Sequence, residues 1–120
     1  SVFDTQLAGV SEDRAAQVRA SWPGHHTWIL PDSHFPEVVR GGRNTVACRV
    51  PGHEQARALC ESFGAALVST SANLSGEPPI IAADVARRDF GALVDFFLPG
   101  QVGDAGRAST IHDLDGNILR

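Results

Sequence analysis

The sequence predicts a mixed α/β fold, of either the α/β or the α+β type. Helix-type and strand-type patterns alternate along the chain. Its 120 residues are 42% hydrophobic, which suits one globular domain with a buried core. A run of hydroxyl and amide side chains, residues 69–75, directly follows a short apolar segment, and loops at strand ends are where open α/β sheets bind ligands. We therefore predict a single domain over residues 1–120, with helices packed on a sheet.

Local signals predict the first helix and the first strand. Ser11 offers a capping hydroxyl, and the acidic residues that follow it suit the first turn of a helix. The helix should run to about Ser21, because the pair Pro23–Gly24 cannot continue it. Residues 27–30 are then predicted as a short strand.

A second strand is predicted over residues 44–50, after a loop that contains prolines and glycines. Its side chains alternate with a period of two. One face is apolar and should join the core: Val46, Cys48 and Val50. The other face is left for solvent or function: Thr45, Ala47 and Arg49.

A second helix should open at residues 51–54 and end at Gly64, which suits a left-handed cap. Its apolar positions fall at helical spacing and predict a packing face: Ala56, Leu59, Cys60 and Phe63. Residues 66–68 then read as a short buried strand that leads into the hydroxyl-rich loop.

The last third of the chain repeats the alternation. A helix is predicted from about Ala82 to Phe90, and a strand over residues 94–98. A glycine-bearing turn, residues 103–106, leads to two final pieces that read as a hairpin, residues 109–114 and 117–120. The pair Asp115–Gly116 between them is the turn signal.

Composition limits the classes of function. The formal charge is −4, and all ten basic residues are arginines, which argues against a general polyanion-binding surface. Arginines gathered on one face could still bind phosphates or carboxylates. Apolar runs are too short for a membrane span and no leader is evident, so we expect a soluble, cytoplasmic protein without membrane contact.

Neither the cysteines nor the histidines form a metal-binding pattern. Cys48 and Cys60 lack a paired spacing and are expected to be reduced, buried thiols. His25 and His26 are adjacent and should point in opposite directions on an extended chain, with no third ligand evident. We therefore predict no metal site built from these side chains.

Five motifs occur in an order and spacing that resemble the YrdC/TsaC family of threonylcarbamoyl-AMP synthases. They are Pro23–Gly24 with residues 27–31, residues 45–51, residues 69–76, residues 98–100, and residues 109–111 with Arg120. The resemblance covers nearly the whole chain. It implies the twisted mixed sheet with packed helices of that family.

The resemblance also implies an activity. Such enzymes join L-threonine, bicarbonate and ATP into threonylcarbamoyl-adenylate and pyrophosphate, the first step of the threonylcarbamoyl-adenosine modification of tRNA. ATP would be a substrate with Mg²⁺ held through its phosphates, and no prosthetic group is implied. Further implied partners are tRNA or double-stranded RNA, the proteins that transfer the product to tRNA, and a second copy of the chain.

Site residues follow from the same resemblance. The implied ATP-binding residues are Thr45, Ser71, Asn73 and Arg120. The implied threonine-binding residues are Arg49, Ser69 and Ser109. No catalytic residue is assigned, because positioning and charge stabilisation would do most of the work. An arginine fork and short hydroxyl donors suit the carboxylate, phosphates and ribose of such ligands.

Each role has a plainer alternative. Arg49 could be a solvated surface residue, and Thr45 could reflect β-propensity alone. Serines in turns often satisfy their own backbone, and Asn73 could only shape its loop. Ser109 could merely begin a strand, and Arg120 stands where terminal fraying is common.

One departure from the family bears on activity. Family members carry a further amino-terminal stretch with a Lys-x-Arg motif that binds the ATP phosphates, whereas this chain has no lysine. We therefore expect a carboxyl-terminal portion with uncovered sheet edges and apolar surface. The alternatives are a non-catalytic nucleotide- or RNA-binding module, a carbamoyl-transfer module of hydrogenase-maturation proteins, and a fragment that folds only on association.

Overall fold

The structure is a computed structural model that describes residues 2–103 and 107–120. The chain divides into two compact units, one formed by Ser1–Arg57 with Ser109–Arg120 and the other by Ala58–Ala108. Five helices and three strands lie in the described residues, which confirms the predicted mixed α/β fold. That residues 1–120 form a single domain stays a prediction.

The first unit contains a three-stranded mixed sheet. Its strands are β1 (His26–Pro31), β2 (Thr45–Cys48) and β3 (Thr110–His112), in the order β2-β1-β3. The central strand β1 is antiparallel to β2 and parallel to β3. The predicted strands over residues 27–30 and 44–50 are thereby confirmed, with the second one shorter than expected.

The core of the first unit lies on one face of this sheet. The alternation predicted for β2 is confirmed, because Val46 and Cys48 are buried whereas Ala47 is exposed. Helix α2 (Glu12–Ala20) contributes Ala15 and Val18, which are one turn apart. The buried apolar residues of the cluster are Leu7, Ala15, Val18, Trp28, Leu30, Val46 and Cys48.

Helix α2 begins and ends as its sequence predicts. The Ser11 Oγ accepts a hydrogen bond from the Arg14 N–H at 3.3 Å, so it caps the first turn. At the other end the Ser21 N–H bonds to the Val18 carbonyl at 3.1 Å.

Two short helices were not predicted: α1 (Asp4–Leu7) and α3 (Glu37–Arg40). The α3 segment had been assigned to a loop. Both are single turns, too short for a hydrophobic period to show, and a polar cluster on Asp32 connects them. The Asp32 carboxylate accepts hydrogen bonds from Gln6 Nε2 in α1 at 2.7 Å and from the Phe35 N–H at 2.9 Å.

The Asp32 carboxyl is charged in this cluster. Burial alone would raise its pKa, but the hydrogen bonds from Gln6 and from the backbone of Phe35 and His34 lower it, as does the nearby Arg40 guanidinium. The net effect is a pKa below the ordinary value. A tertiary contact between Asp32 and Gln6, 26 residues apart, therefore orders this part of the chain.

The second unit shows where the strand predictions are wrong. Residues 66–68 and 94–98 are irregular, not strands. A strand needs a partner for its backbone groups, and the described part of this unit contains no strand. Val68 and Phe96 are accordingly 79% and 75% exposed.

Both helices predicted for this part of the chain are confirmed. Helix α4 (Glu54–Phe63) runs from the first unit into the second, and Gly64 after it has a φ of 82°. Helix α5 (Ala83–Phe90) is also confirmed. The packing face predicted for α4 is wrong for this chain, however, because Leu59 and Phe63 are 49% and 64% exposed.

The chain returns along β3 in its last residues, as the predicted hairpin requires. The Ile111 N–H bonds to the Arg120 carbonyl at 3.0 Å, and the Leu119 N–H bonds to the Ile111 carbonyl at 2.7 Å. The turn is longer than a two-residue turn and is organised by Asp113, whose Oδ1 accepts from the Asn117 N–H at 2.8 Å. The turn predicted at residues 103–106 lies mostly outside the described residues.

Among the described residues, no helix is long and apolar enough to span a bilayer.

Candidate functional site

The site residues of the first unit lie on the face of the sheet that points away from the core. Side chains alternate along a strand, so Trp28 and Leu30 of β1 face the core while Thr27 and Ile29 face the other way. On β2, Thr45 lies on this second face and is half-buried. The register pairs Trp28 with Cys48 at the end of β2. Arg49 directly follows the buried Cys48, and the alternation of side chains along a strand favours the second face for it.

Arg49 is exposed, and within the described residues its guanidinium has no hydrogen bond or ion pair. An unpaired guanidinium keeps all its donors available to an anion. A carboxylate or phosphate on this face of the sheet could therefore bind Arg49 through two parallel hydrogen bonds.

Ser109 is the most buried of the predicted site residues, with 6% of its surface exposed. Its Oγ lies 2.7 Å from Thr27 Oγ1. Arg120 donates from Nη2 to the same Oγ at 3.3 Å and from Nε to the Ser109 carbonyl at 3.1 Å. Arg120 is thus anchored, contrary to the fraying considered for the last residue.

The other predicted residues lie in the second unit, on one loop. Ser69 and Ser71 are exposed. Asn73 shapes the loop, because its Nδ2 donates to the Leu74 carbonyl at 2.9 Å and to the Glu77 carbonyl at 3.1 Å. Its buried Oδ1 has no hydrogen-bond partner among the described residues. Asn73 therefore combines a loop-forming role with one free acceptor.

The structure thus brings the predicted residues together in two groups. Ser109 contacts Arg120 and Thr27, Thr45 lies on the same face of the sheet as Thr27, and Arg49 directly follows β2. The serines and Asn73 form the second group, on the loop of the other unit.

Sequence reasoning missed Thr27 as a site residue. The residue opens the strand predicted over 27–30 and alternates with the buried Trp28, so its position on the functional face could have been found. Its contact with Ser109, 82 residues away, could not have been found from local patterns.

A histidine pair borders the same strands. His26 Nδ1 and His112 Nε2 are 2.9 Å apart, and the His112 ring stacks on Trp28 with centroids 4.4 Å apart. Burial lowers the pKa of His112, and the nearby His26 lowers it further. Among the described residues, no group of three or more His, Cys, Asp or Glu side chains could hold a metal ion.

Both cysteines are free thiols. Cys48 is buried in the core, and this burial, with the nearby Asp32 charge, raises its pKa to about 12. Cys60 is half-buried, so the predicted burial applies in full only to Cys48. A neutral thiol in the core behaves as a small apolar side chain.

Comparison with known proteins identifies the family. The family model Sua5_yciO_yrdC, described as "Telomere recombination", matches residues 4–120. The chain belongs to the Sua5/YciO/YrdC family. The resemblance inferred from the five motifs is therefore confirmed over nearly the whole chain.

Curated members of the Sua5/YciO/YrdC family carry the name threonylcarbamoyl-AMP synthase. The protein of Halorhodospira halophila is 46% identical over 116 residues, which cover 95% of this chain. That of Thiobacillus denitrificans is 48% identical over 116 residues. The chain spans 61% of the length of each of these relatives.

Solved structures of the Sua5/YciO/YrdC family share the fold. A variant of P. abyssi Sua5 superposes with a TM-score of 0.85 at 32% identity, covering 95% of this chain and 36% of its own. P. abyssi Sua5 complexed with L-threonine gives 0.83 at 34% identity, covering 92% of this chain and 34% of its own. Escherichia coli YciO superposes with a TM-score of 0.76 at 25% identity, and the match covers 97% of this chain and 60% of YciO.

Proposed function

We propose that this chain is part of a threonylcarbamoyl-AMP synthase and supplies much of its L-threonine site. The observation that carries the proposal is the exposed Arg49 guanidinium, unpaired among the described residues, directly after β2, whose neighbouring strand β1 bears the Thr27 hydroxyl bonded to Ser109. An amino acid presents a carboxylate, which suits a planar guanidinium with short hydroxyl donors beside it. Relatives with the synthase name and a Sua5 structure with L-threonine support it.

The reaction has two bond-forming steps. The amine of L-threonine attacks the carbon of bicarbonate, which loses water, or that of carbon dioxide, in which case the amine loses a proton, and a carbamate forms. A carbamate oxygen then attacks the α-phosphorus of ATP, and pyrophosphate leaves. The overall step is a nucleotidyl transfer, and the protein contributes by holding the reactants in line and by neutralising charge.

Arg49 would bind the threonine carboxylate, with Ser109 beside it and Ser69 as a further contact. Thr45, Ser71 and Asn73 would bind ATP. The free Oδ1 of Asn73 suits a donor such as a ribose hydroxyl or an adenine amine.

Arg120 has a more restricted role than its motif implies. Two of its five N–H donors, one on Nε and one on Nη2, are engaged with Ser109, so Nη1 and the second Nη2 proton are left for the nucleotide among the contacts of the described residues. We propose that Arg120 contributes to the threonine site by holding Ser109 and that any contact with ATP uses its remaining Nη donors. Magnesium would come with ATP as part of the substrate, since the described residues offer no carboxylate cluster for it.

The product is a mixed anhydride that must pass to tRNA, so the proposal includes tRNA-modifying proteins as partners and the cytoplasm as the place of action. The charge of −4 without lysine gives the chain no strong electrostatic attraction to RNA. The tRNA would therefore be bound mainly by the downstream proteins.

Calorimetric titration with L-threonine tests the threonine site. The matched variants are Arg49→Ala and Arg43→Ala, because Arg43 is also an exposed arginine beside β2. Loss of a charge-assisted pair should weaken binding about 10-fold or more in Arg49→Ala. Arg43→Ala should bind as the unmodified chain does.

A second assay measures pyrophosphate release with ATP, Mg²⁺, L-threonine and bicarbonate. Release that requires all of these substrates would show the complete reaction. Threonine binding without pyrophosphate release would show that this chain holds the amino-acid site. Catalysis would then depend on the parts of the longer relatives that this chain does not span. A folded chain that binds neither L-threonine nor ATP would refute the proposal.

A further inference from the structure

Two polar groups converge on the Ser109 side chain. The Thr27 Oγ1 is 2.7 Å from Ser109 Oγ, and the Arg120 Nη2 is 3.3 Å from it. Arg120 also binds the Ser109 carbonyl, so it holds both the backbone and the hydroxyl of this residue. Little of Ser109 is exposed, which leaves room for a contact with a ligand atom and for little else.

The hydrogen-bonding capacity of these groups restricts where the protons lie. A hydroxyl has one proton and two lone pairs, whereas a guanidinium only donates. Arg120 therefore occupies one lone pair of Ser109. The two hydroxyls of Thr27 and Ser109 share one hydrogen bond, which uses one of their two protons. One proton of the pair remains for another acceptor.

The sheet holds Thr27 in the position that this arrangement needs. Thr27 lies in the central strand and is paired with Ile111 of β3. Ser109 precedes Ile111 by two residues, so its side chain lies on the same face as that of Thr27. Thr27 lies within β1, whereas Ser109 directly precedes β3 and is held there by its contacts with Thr27 and Arg120.

We propose that Thr27 is a positioning residue for the amino-acid site: it donates to Ser109 and so directs the Ser109 proton at the carboxylate of the ligand. Arg120 and Thr27 then fill both lone pairs of the Ser109 oxygen, and its only remaining capacity is to donate. The adjacent Arg120 charge polarises the Ser109 O–H bond and strengthens that donation. This inference rests on the proposed function, because it takes L-threonine as the ligand of Ser109.

The test compares four variants by titration with L-threonine and, separately, with ATP and Mg²⁺. Thr27→Val keeps the branched shape and removes the hydroxyl, so threonine affinity should fall about 3- to 10-fold while ATP affinity stays unchanged. Thr27→Ser keeps the hydroxyl and should restore the affinity for threonine. Thr110→Val is the matched control, since this neighbouring threonine of β3 is half-buried and its side chain alternates to the other face. Ser109→Ala completes the set.

A double-mutant cycle separates a positioning role from a structural one. If Thr27 acts through Ser109, Thr27→Val should cost no further affinity in the Ser109→Ala background. Circular dichroism of each variant checks that the chain is folded. Equal losses in both backgrounds, or a Thr27→Val chain that binds L-threonine as the unmodified chain does, would overturn the inference and leave the proposed function standing. A folded, unmodified chain without threonine affinity would overturn the proposed function, and this inference with it.

Discussion

A pair of valines tests how the first unit gains its stability. Val18 in α2 is fully buried, with 0% of its surface exposed, whereas Val38 in α3 is 88% exposed. Both are helical, and both can be changed to alanine. The two substitutions remove the same atoms from the same unit, so their difference isolates the contribution of burial.

The expected magnitudes follow from burial and helix propensity. Val18→Ala removes two buried carbons, worth about 1.6 kcal/mol of transfer free energy. The cavity left in the core adds up to about 1 kcal/mol. Alanine returns about 0.5 kcal/mol through its better helix propensity. The net loss in the free energy of unfolding is therefore about 1 to 2 kcal/mol, whereas Val38→Ala should change it by less than about 0.5 kcal/mol.

Urea unfolding followed by tryptophan fluorescence measures both variants. Trp22 and Trp28 lie in the first unit, so the signal reports the unit that contains both valines. With a slope of about 1 to 1.5 kcal/mol per molar urea, Val18→Ala should lower the midpoint by about 0.7 to 2 M. Equal midpoints for Val18→Ala and Val38→Ala would refute the assignment of Val18 to the core.

Two further predictions concern titratable groups. A thiol reagent at pH 8 should modify Cys60 in the native chain, and Cys48 only after unfolding, because burial raises the Cys48 pKa to about 12. Mass spectrometry identifies the modified residue. Labelling of Cys48 in the native chain would contradict its burial. The pKa of His112 is lowered by burial and by His26, so the unfolded chain binds a proton there more readily than the folded chain does. The stability that the neutral His112 gives the folded chain is fully present above the ordinary histidine pKa of 6.5 and is lost as the pH falls below that value. Urea midpoints from pH 7.5 to 5.5 should therefore fall less steeply in His112→Gln; an identical pH dependence would count against the effect.

Local signals predicted the elements that depend on local interactions. The Ser11 cap, the alternation of residues 45–48 and the glycine after α4 each act within a few residues. Their elements formed where expected. The helices α1 and α3 were missed because both contact Asp32 from outside its local sequence pattern, α1 through Gln6 and α3 through Arg40.

The wrong predictions have a common physical cause. Residues 66–68, residues 94–98 and the apolar face of α4 carry patterns that are typical of buried elements. A strand needs a neighbouring strand, and an apolar face needs a covering surface. The chain spans 61% of the length of its curated relatives, and the described residues of the second unit provide neither.

The sequence by itself determined the family, the residue types of the candidate site and the elements with strong local signals. These properties are carried by neighbouring residues and by ordered motifs, so they can be read along the chain. Only the tertiary structure decided that Thr27 meets Ser109, because the parallel pairing of β1 with β3 brings together two hydroxyls that are 82 positions apart. It also decided that Arg120 binds Ser109, because the last residues return along β3. A hydrogen bond depends on distance in space, and the sequence specifies that distance only through the complete fold.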